Sequence, residues 1–286
     1  MQTIGETAMS HAVPAKSAHS ETAFNQLLSG IIATSDGDYR ATIEASWLQG
    51  RTAFGGLSTA LVFGAMRQQV DAERQLRTLA VSFVGPAPAG EHRISTRVLR
   101  EGGSVTHMQG ELLCDGEVAV SVNAAFGKAR QSSIQVAAPA LPELQAPEAC
   151  EKFPYIEGIT PEFTRHFDMY LEHGSMPFSR ADSADFGMWL RFREAQPLTL
   201  SHLLALGDVP PMPGLNMIKL PGVGSSLSWY VELPATLPEV SADSFVYYDY
   251  RCQAAGDGYF NNVATLWTQS GEPLMFGRQV ATVFER

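Results

Sequence analysis

Between residues 55 and 70, Leu57, Leu61, Val62, Ala65 and Met66 recur at helical spacing behind the pair Gly55-Gly56, which predicts an amphipathic or buried helix. Four apolar runs of strand length follow, at 76–84, 91–99, 104–114 and 117–126. Turn-forming stretches divide them, at 85–90, 100–103 and Asp115-Gly116. One helix and an antiparallel meander are expected. Beyond a Pro-rich stretch from 136 to about 147, of the kind that joins domains, the order returns: a helix at 198–206, then strands at 225–233, 244–254, 259–268 and 273–284. A strand candidate stands before each helix, at 39–47 and 187–193, so the chain reads strand, helix, four strands, twice.

A single helix cannot cover both faces of such a sheet, but it can lie across the concave side of a strongly curved one. The expected class is α+β, a double hotdog: two tandem helix-wrapped antiparallel sheets whose edge strands join into one continuous sheet. The expected division is a flexible tail at 1–22, a first half at 23–135, a linker at 136–160 and a second half at 161–286.

Composition narrows the class of function. With 45% apolar and 17% charged residues over 286 positions, the chain can bury a large core. The formal charge of −10, without a Lys/Arg-rich run, removes the footprint that nucleic acid binding needs. No window approaches the length of a membrane span, and residues 1–20 lack the basic and apolar blocks of a secretory signal. Cys114, Cys150 and Cys252 show no CxxC spacing, which fits reduced thiols in a cytoplasmic protein with no metal.

Familiar catalytic motifs do not occur. There is no GxSxG elbow, P-loop or GxGxxG fingerprint, and the seven His show no HExxH-like spacing. Three polar residues stand out instead. Asp208 closes the apolar run 203–207, where a negative charge opposes the helix dipole; it is either a carboxylate held beside a cleft or an exposed terminal residue. Gln279 shares a strand face with Met275, Ala281 and Val283, and a lone amide there requires partners: a ligand, or a neighbouring loop. Ser226 alternates with Leu227 in an ordinary half-wet strand, on the face opposite Trp229 and Val231.

Phe54-Gly-Gly-Leu57, Phe83-Val-Gly-Pro86, the segment 99–104, Trp189-Leu-Arg191, the segment 203–208, the segment 226–231 and Arg278-Gln279 occur in an order and spacing that resembles the bacterial acyl-CoA thioesterase II (TesB-like) family. The likeness runs over most of the chain after about residue 25. It implies a double-hotdog enzyme that hydrolyses acyl-CoA thioesters without a cofactor. Asp208, Ser226 and Gln279 then occupy the positions of the Asp, Ser/Thr and Gln that hold the attacking water. Phe54, Gly55, Gly56, Trp189 and Arg191 are the expected substrate-binding residues, with Gly55-Gly56 letting an oxyanion approach helix N–H groups. Arg191 and Arg278 either meet the phosphates of CoA or are ordinary exposed cations. A hotdog hydratase typically pairs its Asp with a His a few residues on, and none follows Asp208. A non-catalytic acyl-binding protein is the other alternative, and assembly into a homo-oligomer is compatible with the free sheet edges.

Overall fold

The computed structural model describes residues 22–220 and 222–285, so the expected tail lies outside it except for Thr22. The first half begins with α1 (Phe24–Ser29), β1 (Ile32–Ser35) and β2 (Asp38–Ile43), followed by a two-stranded ribbon of β3 (Leu48–Gln49) and β4 (Thr52–Ala53). Helix α2 (Gly55–Arg67) and strands β5 (Arg74–Phe83), β6 (Gly90–Glu101), β7 (Val105–Cys114) and β8 (Glu117–Lys128) complete it. The second half holds β9 (Glu151–Lys152), β10 (Phe167–His173), β11 (Phe186–Phe192), α3 (Leu200–Leu206), β12 (Val223–Glu232), β13 (Val246–Gly256), β14 (Tyr259–Thr268) and β15 (Pro273–Phe284).

Thirteen of these strands form one sheet, in the order β1-β2-β6-β7-β8-β5-β12-β15-β14-β13-β11-β10-β9. The halves meet where β5 pairs antiparallel with β12, Ser228 opposite Ser82 and Glu232 opposite Thr78. This is the α+β double hotdog, with the continuous sheet expected of it. The order of elements differs from the expectation in one respect: more than one strand of the large sheet precedes each repeat helix, β1 and β2 before α2, and β9, β10 and β11 before α3. The alternation of Phe167, Met169 and Leu171 with Asp168, Tyr170 and Glu172 marks β10, and all three apolar members are buried.

Helix α2 is apolar on every side because it is enclosed: all of its residues except Gly55, Gly64 and Arg67 are buried. Leu57, Leu61, Val62 and Met66 each contribute roughly 1.5–3 kcal/mol of transfer free energy there. One apolar cluster runs from Phe24 through α2 and α3 to Met275, so the halves share a core. A second cluster of Trp189, Phe245, Tyr247 and Trp267 lies on the outer face, covered by Leu141 and Leu144 of the Pro-rich segment. The Trp189 indole donates to the Gln145 carbonyl at 2.9 Å, which pins that segment to the sheet.

Candidate active site

The start of α2 abuts the end of α3, and this contact builds the site. A Cβ on Gly56 would lie 2.7 Å from the Ala205 carbonyl oxygen; one on Gly55 would lie 2.5 Å from Asp208 Oδ2 and 2.7 Å from the Phe83 ring. The two glycines therefore let the second half's carboxylate reach the N-terminus of the first half's helix. The Gly56 N–H lies close enough to Asp208 to pull its pKa down. The charge that opposed the dipole of α3 is placed on the favourable end of α2. This differs from the expected use of the glycines, since the close approach is made by Asp208, Phe83 and Ala205.

Asp208 is only partly exposed and its carboxyl group is wrapped by protein. Burial raises its pKa to about 7, against the opposing pull of the Gly56 N–H and of Gln279.

Gln279 is buried on the inner face of β15. Its Nε2 donates to Asp208 Oδ1 at 3.1 Å and to Ser226 Oγ at 2.9 Å. Three residues distant in sequence are thus joined through one amide. Ser226 reaches this face by a local irregularity: opposite β15, Ser226 pairs with Ala281 and Ser228 with Val280, leaving Leu227 as an extra residue. Strict alternation would turn Ser226 away from Trp229. The bulge puts both side chains on the side of Gln279 and leaves Leu227 exposed.

Tyr250 is not legible as a site residue, because it ends the run Phe245-Val-Tyr-Tyr-Asp-Tyr250, in which three tyrosines read alike. Its phenol donates to Gln279 Oε1. That bond fixes the amide's orientation, turning the NH₂ toward Asp208 and Ser226. Tyr248 supports the wall by donating to the Gly207 carbonyl at 3.0 Å and by an edge contact with Tyr250 at 5.2 Å. Burial pushes the pKa of both phenols well above the usual value, so both remain proton donors.

The remaining expected residues are elsewhere. Phe54 is fully buried, stacked on Phe163 at 4.4 Å in the shared core. Trp189 and Arg191 have the parity of Tyr247, whereas Met188 pairs with Tyr248, so Trp189 and Arg191 face outward. Arg191 donates to Asp168 through Nε and Nη2 at 3.1 and 3.0 Å, and lies 4.4 Å from the Phe245 ring centre. The pleat thus sets Trp189 and Arg191 on the face of the sheet away from Asp208. Arg278 is exposed and donates to Gln253.

Sequence profiles of the acyl-CoA thioesterase N-terminal domain and C-terminal domain match residues 43–127 and 147–283. A comparison with curated protein sequences gives no match. Among solved structures, a hot dog protein of unknown function from Alicyclobacillus acidocaldarius superposes with a TM-score of 0.81 at 20% identity, covering 93% of this chain and 100% of that one. The acyl-CoA thioesterase II TesB2 of Mycobacterium marinum gives 0.73 at 18% identity, covering 92% and 99%. The dehydratase domain of RzxB from Pseudomonas fluorescens gives 0.53 at 12% identity, covering 91% and 98%. These likenesses establish the fold, which thioesterases and dehydratases share, and the two domain profiles, spanning most of the chain, decide between them: the chain belongs to the acyl-CoA thioesterase family of thioester hydrolases.

Proposed function

We propose that the chain hydrolyses acyl-CoA by direct attack of a water molecule held by Asp208 and Ser226, whose oxygens are fixed by Gln279. The observation that carries this reading is the shared amide, with Nε2 3.1 Å from the Asp208 carboxylate and 2.9 Å from the Ser226 hydroxyl. Gln279 gives its hydrogens to both oxygens, so the water is met by the other carboxylate lone pairs and by the Ser226 O–H. The Asp208 carboxyl group titrates at about 7, which suits a general base at neutral pH.

In the reaction the water oxygen bonds to the thioester carbonyl carbon as its proton passes to Asp208, and the C=O π pair moves onto oxygen. On collapse that pair restores C=O, the C–S bond breaks with its electrons on sulfur, and the proton returns from Asp208 to the thiolate or solvent. Water and thioester become acid and thiol. Thiolate is a good leaving group, so a held water and a stabilised oxyanion suffice.

The test is thiol release from a panel of acyl-CoAs differing in chain length. Free thiol in proportion to free acid is expected, and Asp208→Ala should lower kcat/KM by roughly 10²-fold or more. Loss of enoyl absorbance without thiol would favour a hydratase, and binding without turnover an acyl carrier.

A further inference from the structure

Asn262 lies directly opposite Gln279 in the β14–β15 ladder, so their side chains share the inner face about 5 Å apart at Cβ. It is 3% exposed, and neither Nδ2 nor Oδ1 has a hydrogen-bond partner among the described residues. The Tyr250 phenol lies close enough for the Asn262 amide to pull its pKa down against burial, but the two side chains do not reach hydrogen-bond geometry. A buried amide with both ends unpaired, beside the group that orients the water, calls for a partner that arrives with the reaction.

The duplication provides an internal control. Strand β5 carries its own bulge, with Leu76 opposite Phe126 and Thr78 opposite Ala125, so Arg77 corresponds to Leu227. Counting from the bulges, Leu76 corresponds to Ser226, and Ala124, opposite Leu79, corresponds to Gln279, opposite Trp229. The residue opposite Ala124 in β7 is Met108, the counterpart of Asn262. Leu76, Ala124 and Met108 are all buried. The scaffold thus takes an apolar side chain at this position where the neighbouring residues are apolar, and an amide only beside Gln279 and Ser226.

From these observations we infer that Asn262 is a further catalytic residue, whose Nδ2 donates a hydrogen bond to the thioester carbonyl oxygen as it becomes an oxyanion. The inference rests on the reading of the site given above. It also answers what the start of α2 does not, since Asp208 and Phe83 occupy the space at Gly55.

The variant to measure is Asn262→Met, the residue the first half itself uses, alone and combined with Tyr250→Phe, by thiol release from a short acyl-CoA. The expected result is a fall in kcat of roughly 10²- to 10³-fold with KM little changed, and most of that loss should persist in the Tyr250→Phe background. Asn262→Ser, which keeps a donor, should recover part of it. An unchanged kcat while Asp208→Ala is impaired overturns this inference and leaves the thioesterase reading standing. A loss that disappears in the Tyr250→Phe background also overturns it, assigning Asn262 to positioning Tyr250. So does an Asn262→Met chain that fails to fold, because the amide is then structural. No thiol release by the unaltered protein removes both readings.

Discussion

Asp208 carries a cost that its surroundings define. Burial raises its folded pKa from 3.8 to about 7, so between those values the folded chain holds a proton that the unfolded chain has released. Stability from this group is complete below about pH 4 and is lost as pH rises to 7, by up to about 4 kcal/mol. Asp208→Asn should therefore melt above the unaltered protein at pH 8, with the gap closing toward pH 4, measured by thermal denaturation across that range. Tyr250 acts at the same scale through one bond to Gln279 Oε1. Tyr250→Phe leaves that buried oxygen unpaired, and a loss of about 1–3 kcal/mol in stability is expected in denaturant titration, together with a lower kcat as the amide loses its fixed orientation.

Among the elements, the bulge in β12 decides whether the site exists. With Leu227 present and no bulge, Ser226 would face away from Gln279 while residues 228–232 keep their pairing with β5. Ser226→Ala should fold with a native-like near-ultraviolet spectrum and lose activity by roughly 10²-fold or more; full activity would remove Ser226 from the site. The same bulge explains what the sequence could and could not reveal. The strands 259–268 and 273–284 are legible to the residue, because turns bound them and their patterns hold. Gln279 is legible as an amide on an apolar face. Ser226 is found by family likeness but set on the wrong face by alternation, since an extra residue changes parity without changing composition. The outward placement of Trp189 and Arg191 is not legible, because a segment that marks the family can sit on either side of a sheet. Tyr250 and Asn262 give no signal in the sequence, as their roles depend on which strands are neighbours.

At the scale of the molecule, the two halves share one sheet and one apolar core. The seam strands bury Leu79 and Val231 completely, and the apolar cluster crosses between the halves. A single calorimetric transition is expected, with equal calorimetric and van't Hoff enthalpies; two separated transitions would show that the halves fold independently. The union extends to the site, because the Asp208 carboxylate comes from the second half and the glycine pair it packs against from the first. Duplication gave two positions on the scaffold, and Leu76, Ala124 and Met108 fill one of them with apolar side chains. The central claim is that one buried carboxylate activates water for the whole chain. It is tested most directly by kcat/KM against pH for the unaltered protein and for Asp208→Asn on one reactive acyl-CoA. The account predicts a rate that rises with pH to a plateau above about 7, and a variant at least 10²-fold slower with no such rise. A variant as fast as the unaltered protein, or a rate independent of pH in both, would contradict it.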